Sequence, residues 1–190
     1  MARRYLHHDA AVEHFLRERR VPYVAVDEAR RTLLPMREGI APPTVKSFDF
    51  LVTLPGMGLL VEVKGRTWKA GRTSGAGLTA RPGGALESWA TLDDVEGLRT
   101  WQRLMGGGFR SALVFVYLCD REPPDTVFDE AFEFRARWYG LRAVLIDEYA
   151  ARMRPRSERW RTVDVSAAAF AQLRLRLDGA GFGPGMARTA

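Results

Sequence analysis

The chain has 190 residues, of which 46% are hydrophobic, and this suffices for one sizeable core, so we expect a single domain over residues 1–190. Its one cysteine and three histidines exclude an internal disulfide and a structural zinc site. The net charge of +6 suits a polyanionic partner, although 26 of the 29 basic residues are Arg, a bias that a GC-rich genome also produces.

The sequence contains no apolar run of membrane-spanning length, and its first residues lack the hydrophobic block of a signal peptide. We therefore expect a soluble, cytoplasmic protein with no membrane partner. At the N-terminal end, Asp9 is placed to cap a helix from Ala10 to about Arg20, with Val12, Phe15 and Leu16 on its buried stripe. An apolar strand from Val21 to Val26 follows, and then an irregular connection over residues 27–45.

The stretch from Lys46 to Lys64 predicts two strands joined by a tight turn at residues 55–58. Its first strand alternates Phe48, Phe50, Val52 and Leu54 with the residues of the other face, Asp49, Leu51 and Thr53. A two-residue connection would pair residues whose numbers sum to 113, placing Asp49 opposite Lys64 and Leu51 opposite Glu62, all on one face. Asp49 and Glu62 would then be diagonal neighbours, about 7–8 Å apart.

Two acids and a lysine on one strand face are residues suited to metal-assisted chemistry on a phosphate. Mg²⁺ binds carboxylate oxygens, keeps several waters and uses its remaining positions for phosphate oxygens. A nearby ammonium can orient the attacking water, so the stretch outlines a site for metal-assisted phosphodiester hydrolysis. The alternative is a half-exposed hairpin with a cross-strand ion pair. Against it, Glu62 and Lys64 interrupt a strand that is otherwise apolar on both faces, and buried charges need a reason.

A long segment rich in Gly, Arg and Thr, residues 65–88, follows the second strand. Segments of this length in a compact domain are usually functional or disordered. One interpretation is a flap whose side chains contact a nucleic-acid backbone, and the other is a solvated loop. The candidate contacts are Arg66, Trp68, Lys69, Arg72 and Arg81.

The residues 91–94, Thr-Leu-Asp-Asp, form a capping box for a helix that ends at the three glycines 106–108. Its predicted buried stripe is Val95, Leu98, Gln102 and Met105. The apolar run 111–118 is typical of a central strand buried on both faces. Beyond it we predict a hairpin of strands 132–138 and 141–146 around Tyr139-Gly140, a helix over 147–153, a strand over 162–165 and a helix capped by Ser166. The arginine-rich segment 152–161, which includes Trp160, suits either nucleic acid or a solvated turn.

Asp49, twelve intervening residues and then Glu62-Val63-Lys64 resemble the core signature of the PD-(D/E)XK nuclease superfamily, which includes restriction endonucleases, Holliday junction resolvases and RecB-type nucleases. Phe48 stands where that signature has proline. The predicted order of helix, three strands, helix and strand over about residues 9–118 matches the common core. The resemblance implies an α/β, restriction endonuclease-like αβββαβ core, with a mixed central sheet flanked by helices. A C-terminal α+β elaboration would cover about 119–177, followed by a loosely ordered tail over 178–190.

The resemblance also implies a nuclease dependent on Mg²⁺ or Mn²⁺, acting most naturally on DNA. Asp49, Glu62 and the Val63 carbonyl would bind the metal, and Lys64 would orient the nucleophilic water or stabilise charge. Glu13 on the first helix and Gln102 on the second would support them, although Gly106 replaces the tyrosine that usually follows such a glutamine. Members often cut duplexes as dimers, which leaves a homodimer open.

Several alternatives stay open at the level of sequence. Glu13 could be a solvated helix acid, and Gln102 could be a structural glutamine bonded to nearby backbone. For the whole chain, the main alternative is a non-catalytic nucleic-acid-binding or protein-interaction module on the same fold. An unrelated α/β binding domain is a third option, and it requires that the two acids diverge.

Overall fold

The computed structural model describes residues 7–26, 46–71, 84–128 and 130–177. None of the helices in these ranges is both long and apolar enough to cross a bilayer. The helices are α1 (His7–Glu18), α2 (Leu92–Met105), α3 (Ile146–Arg152) and α4 (Ala167–Gln172). The strands are β1 (Tyr23–Ala25), β2 (Phe50–Leu54), β3 (Met57–Trp68), β4 (Ala90–Thr91), β5 (Phe109–Cys119), β6 (Glu130–Phe134), β7 (Arg137–Leu145), β8 (Arg154–Ser157) and β9 (Thr162–Asp164).

Six of the strands form one mixed sheet in the order β1-β2-β3-β5-β7-β6. Only β3 and β5 in it run parallel, because α2 carries the chain back between them, and the other neighbours are antiparallel. A second sheet has the order β4-β9-β8. The predicted α/β fold with an αβββαβ core is confirmed in the order of its elements, with the two-residue β4 inserted before α2.

The main sheet has an apolar core on each face. On one face, α1 contributes Phe15 and Leu16 to a cluster with Val61 and Val63 of β3. On the other face, α2, α3 and α4 cover a cluster that includes Leu60. Because successive residues of a strand point to opposite faces, Glu62 and Lys64 lie on the face covered by α2.

The hairpin of β2 and β3 has a different register from the predicted one. Leu54 pairs with Met57 and Phe50 with Val61, so partners have numbers that sum to 111 rather than 113. The two-residue connection is confirmed, but it consists of Pro55 and Gly56, with Gly56 at φ +79°. Asp49 therefore does not stand opposite Lys64. The positive φ at the second turn position is the conformation that glycine adopts without strain.

The predicted alternation along β2 breaks at Asp49. Phe48 packs in the core under α2, whereas Phe50 packs in the core under α1, although alternation placed both on one face. The chain bends at Asp49, whose N–H donates to the carbonyl of Val61 at 2.7 Å. This irregularity directs the carboxylate of Asp49 toward β3.

The second predicted hairpin is present, but its turn is at Arg135 and Ala136 and not at Tyr139-Gly140. Arg135 and Ala136 have φ of 52° and 56°, and the strand pairing continues from the turn to Gly140. Gly140 instead allows close packing, since a Cβ there would lie 2.4 Å from the ring of Phe128. Glycine thus marks a close approach here and not a change of direction.

The helix boundaries follow the predictions with two corrections. Asp9 lies in the first turn of α1 and is not its cap, because the helix already begins at His7. Met105 is exposed at the end of α2 and not part of its buried stripe. The capping box at Thr91 and Asp94 and the cap at Ser166 are both confirmed by their hydrogen bonds. The predicted connection over 27–45 and the tail over 178–190 lie outside the described residues.

Candidate active site

Asp49 is buried and its carboxylate takes the place of a backbone acceptor. Its Oδ2 accepts the N–H of Val63 at 2.7 Å, two residues beyond the last ladder pair between β2 and β3. The N–H and C=O of one residue point to the same side of an extended strand. The carbonyl of Val63 therefore faces the side on which Asp49 lies, as its predicted role as a metal ligand requires.

Glu62 and Lys64 are neighbours on the same face of β3. The Nζ of Lys64 donates to Oε1 of Glu62 at 2.8 Å. Both side chains are largely buried, because α2 packs over this part of the sheet. The prediction that these two residues share a face is confirmed.

Two further charged residues complete the arrangement. Lys46 contacts both Asp94 and Oε1 of Glu62, the latter at 3.2 Å. Asp94 also accepts Lys64 Nζ at 2.7 Å, on a side chain only 1% exposed. Lys46, Glu62, Lys64 and Asp94 thus form a closed ring of alternating charge, here called the charge cluster. Burial of this kind is tolerated because each ion has an opposite neighbour and hydrogen bonds.

Asp94 also forms the capping box at the start of α2. Its Oδ2 accepts the N–H of Thr91 at 2.9 Å, while its own N–H donates to Thr91 Oγ1 at 3.1 Å. The capping box satisfies two backbone donors at the helix N-terminus. The same carboxylate therefore fixes the start of α2 and holds the ammonium of Lys64.

The pKa values of the two cluster acids shift in opposite directions. Burial raises the pKa of Glu62, the charges of Lys64 and Lys46 oppose that rise, and the charge of Asp49 adds to it. Burial also acts upward on Asp94, but Lys64 and Lys46 outweigh it and hold the pKa of Asp94 at about 2. Glu62 is thus the acid with a raised pKa, and burial rather than repulsion by Asp49 is the largest cause.

Lys46 is coupled to the same acids from the solvent side. Burial acts to lower its pKa, but Glu62 and Asp94 outweigh that effect, and the pKa of Lys46 is raised. It therefore carries its charge at any physiological pH. With its side chain 41% exposed, it is the member of the cluster that a ligand in solution reaches most easily.

The two carboxylates and the Val63 carbonyl suit one hard cation that keeps its other coordination positions for waters and substrate oxygens. Asp49 and Glu62 supply carboxylate oxygens, and Asp49 is close enough to raise the pKa of Glu62. Within the described ranges no group of three or more His, Cys, Asp and Glu side chains is arranged to hold a metal. Mg²⁺ is commonly held by one or two carboxylates with waters and phosphate oxygens, so two carboxylates and a carbonyl match that mode rather than a closed protein cage.

Gln102 has a structural role in place of the predicted supporting role at the site. Its Oε1 accepts the N–H of Ser111 at 2.7 Å, and its Nε2 donates to Asp147 at 2.8 Å. It lies more than two helical turns beyond Asp94 on α2, about 12 Å along the axis. It therefore ties α2 to β5 and α3, away from the charge cluster.

Glu13 lies on α1, which packs on the face of the sheet opposite to Glu62 and Lys64. Its Oε1 accepts hydrogen bonds from Arg17 at 2.6 Å and from the hydroxyl of Tyr23 at 2.7 Å. These contacts hold it against β1. The structure does not bring Glu13 to the charge cluster, and its predicted support of the metal fails for that reason.

The segment 65–88, predicted to be a flap or a solvated loop, begins instead as strand, because β3 continues to Trp68. Trp68 is buried, and its Nε1 donates to the carbonyl of Gly84 at 3.0 Å. Arg66 is also buried and donates to the carbonyls of Gly65 and Trp89. Arg66 and Trp68 thus lie on β3 and in neither the predicted flap nor the alternative solvated loop, while Lys69 is exposed. Arg72 and Arg81 lie outside the described residues, and contact with nucleic acid stays a prediction.

Lys46 and Asp94 were missed as site residues. Each carries a signal in the sequence, since Lys46 precedes Asp49 by three residues and Asp94 is the acid of the capping box. An acid at that helix position is normally explained by capping alone. Only the packing of α2 over β3 shows that the same carboxylate meets two lysines.

Comparison with known proteins gives a likeness in fold and no match in sequence. No family model matches the sequence, and no curated protein matches it either. The fold is similar to that of Hjc, a Holliday junction resolvase from the archaeal hyperthermophile Archaeoglobus fulgidus, with 14% sequence identity and a TM-score of 0.48. The alignment covers 92% of this chain and 98% of the resolvase chain. The function of this chain is therefore inferred from the geometry of its own charged residues.

Proposed function

We propose that this protein is a nuclease that hydrolyses phosphodiester bonds with a divalent metal, Mg²⁺ or Mn²⁺, and that its substrate is DNA. The observation that carries the proposal is the buried pair of Asp49 and Glu62 with the ammonium of Lys64 bonded to Glu62 at 2.8 Å. Lys64 and Lys46 offset the charge of Glu62, and a divalent cation held between Asp49 and Glu62 would offset the repulsion between the two acids. A catalytic metal site would account for a second buried acid beside Glu62.

Asp49, Glu62 and the carbonyl of Val63 would hold the cation. When bound, a divalent ion supplies an acidified water and neutralises charge that develops on the phosphate. The hydrogen bond from the Val63 N–H to Asp49 fixes one carboxylate oxygen at 2.7 Å and limits rotation of that side chain. The acid is thus oriented before substrate arrives, which saves reorganisation during the reaction.

Lys64 is the residue that would act on the reacting water or phosphate. Glu62 and Asp94 hold its Nζ from two sides at 2.8 and 2.7 Å, so the ammonium has a fixed position beside the acid pair. An ammonium has three donors, and these two contacts leave one for a water or a phosphate oxygen. Lys46, at the solvent side of the same acids, adds a second positive charge to attract the substrate backbone.

A second function is favoured by one specific observation. The two lysines of the charge cluster already balance the two acids Glu62 and Asp94, which is also what a structural ion network requires. A non-catalytic nucleic-acid-binding or protein-interaction module would keep such a network for folding specificity alone. Activity separates the two functions, because a binding module would show no metal-dependent hydrolysis.

The test is a cleavage assay on end-labelled linear duplex, four-way branched DNA and single-stranded DNA, each with Mg²⁺ or with EDTA. We expect at least one substrate to be cut in Mg²⁺ and none in EDTA. Lys64→Ala should lower the rate by about 10²- to 10⁴-fold, the usual contribution of a positioned proton-transfer or water-orienting group. Arg103→Ala is the control and should cut normally, because Arg103 is exposed on α2 and its guanidinium bonds Thr100 of the same helix. Equal rates for Lys64→Ala and wild type would overturn the proposal.

A further inference from the structure

A cavity of about 460 Å³ lies against the small sheet of β4, β9 and β8, next to Trp89, the residue that precedes β4. This volume is within the range of about 300–1,000 Å³ that is usual for ligand sites. We call it the tryptophan cavity, and its lining consists of Trp89, Thr91, Arg156, Ser157, Trp160 and Thr162. Two indoles and a guanidinium on one concave surface can take a flat ring that carries negative charge nearby.

Trp89 is held rigidly at one wall. The guanidinium of Arg66 lies 3.8 Å from the centroid of the Trp89 ring and also donates to the Trp89 carbonyl. The guanidinium of Arg156 lies 5.2 Å from the same centroid. Glu87 lies beside Arg66, with its Oε2 3.8 Å from Arg66 Nε, and offsets that charge, so Arg156 is the guanidinium of this wall that suits a bound phosphate.

Trp160, unlike Trp89, is largely exposed to solvent. It lies in the turn between β8 and β9 and is 68% exposed, more than any other large hydrophobic side chain exposed in the described ranges. Arg159 is near its ring, with the guanidinium 5.2 Å from the centroid. An indole left in water is unfavourable, and such side chains commonly mark a binding surface.

The tryptophan cavity is connected to the charge cluster by hydrogen-bonded side chains and by residues that are close along β3. Thr91, which lines the cavity, exchanges two hydrogen bonds with Asp94. The carboxylate of Asp94 in turn pairs with the ammonium of Lys64. Arg66 follows Lys64 by two residues on the same strand face, which is about 7 Å along β3. A strand of nucleic acid with its phosphodiester at the acid pair would therefore pass close to the mouth of the cavity.

We propose that the tryptophan cavity receives an unpaired nucleobase of the strand being cut, stacked on Trp160, with an adjacent phosphate bound by Arg156. This rests on the proposed nuclease function and adds a substrate class to it: nucleic acids that have unpaired nucleotides next to the cleavage position. Aromatic stacking accepts every base, so the selection is for the unpaired state rather than for sequence. The arginines favour this occupant over an apolar protein segment, which offers them no phosphate.

Binding measured without cleavage tests the inference. In EDTA, the full chain is titrated into fluorescein-labelled DNAs of equal length: a paired duplex, a duplex with a short internal unpaired loop and a single strand. We expect the two unpaired forms to bind more tightly than the paired duplex. Trp160→Ala should weaken the unpaired forms by about 5- to 150-fold, the usual effect of removing one stacking ring, and leave the paired duplex unchanged. Trp160→Phe should retain most of the affinity.

A second variant and a matched control keep the test decisive. Arg156→Gln should weaken all three DNAs and lower the salt dependence of binding by about one phosphate contact. Leu104→Ala removes a side chain that is 60% exposed at the far end of α2 and should change nothing. With 5-bromodeoxyuridine at the unpaired position, ultraviolet crosslinking should join the DNA to the peptide that contains Trp160.

The outcomes separate this inference from the function on which it rests. If the wild type cuts DNA in Mg²⁺ while Trp160→Ala binds every form as the wild type does, the cavity proposal is overturned and the nuclease proposal stands. An equal loss on paired and unpaired DNA would make Trp160 a general contact and would also overturn it. If the wild type neither binds nor cuts any of the DNAs, both proposals fall.

Discussion

Replacing Asp94 by Asn tests the charge cluster without removing the helix cap. The asparagine carbonyl can still accept the N–H of Thr91, so the main loss is the negative charge between Lys46 and Lys64. Holding the pKa of Asp94 at about 2 against an ordinary value of 3.8 corresponds to about 2 kcal/mol of folding stability at neutral pH. We expect Asp94→Asn to lose about that amount, or about 4–8 °C in melting temperature for a chain of this size.

The pH dependence distinguishes charge from packing. Because the folded pKa of Asp94 lies below the unfolded one, its contribution is present in full above about pH 4 and is lost as the pH falls through about 2. Urea unfolding followed by tryptophan fluorescence should thus show a difference between wild type and Asp94→Asn that shrinks by about half between pH 7 and pH 3.

Asp93→Asn is the matched control, since Asp93 is the preceding acid on α2, with its side chain 59% exposed and, among the described residues, paired with an exposed arginine. It should cost at most a few tenths of a kcal/mol, as surface ion pairs usually do. The reasoning is refuted if Asp94→Asn is as stable as the wild type at pH 7. It is also refuted if the loss is the same at pH 3, because the contribution of the charge must shrink once Asp94 of the unfolded chain becomes protonated.

Three further predictions concern single positions. Gly140→Ala should destabilise the protein by about 1–3 kcal/mol, because the new Cβ would meet the ring of Phe128 at 2.4 Å, whereas Gly107→Ala, with nothing within 4 Å, should be neutral in the same urea titration. Asp49→Asn should leave the metal-free protein equally or more stable at neutral pH, since its charge raises the pKa of Glu62 and a raised folded pKa costs stability above that pKa; a loss above about 2 kcal/mol would contradict this. Gln102→Ala should cost about 1–2 kcal/mol by leaving a buried N–H of β5 without its acceptor, yet keep metal-dependent cleavage, and a variant that folds normally but does not cut would restore a catalytic role.

The elements of this fold were largely predictable because each has a strong local cause. The apolar run of β5, the capping box of α2 and the cap at Ser166 depend on neighbouring residues only, and all three are present. The turns were less predictable, since glycine has two uses. Gly56 occupies a turn at positive φ, while Gly140 accommodates a ring, and a glycine between two apolar runs is compatible with either use.

The site was predictable only in part for a related reason. Glu62 and Lys64 share a face by the alternation of a strand, which is a local rule. Asp49 reaches β3 through a bend that alternation does not anticipate, and Asp94 arrives from a helix thirty residues away. Glu13 and Gln102 were placed by resemblance alone, and their side chains are engaged by Tyr23 and Ser111 instead. Long-range packing decided all four positions.

Metal binding at Asp49 and Glu62 tests the central claim most directly, because it does not depend on choosing the right nucleic acid. The melting temperature is measured for the wild type, Asp49→Asn and Asp93→Asn in EDTA and in about 10 mM Mg²⁺ or Mn²⁺. A cation that binds only the folded chain with a Kd of about 1 mM would add about 1.4 kcal/mol, or a rise of about 3–6 °C. We predict that rise for the wild type and for Asp93→Asn, and none for Asp49→Asn. Absence of a rise in the wild type, or an equal rise in Asp49→Asn, would contradict a metal site at these two carboxylates.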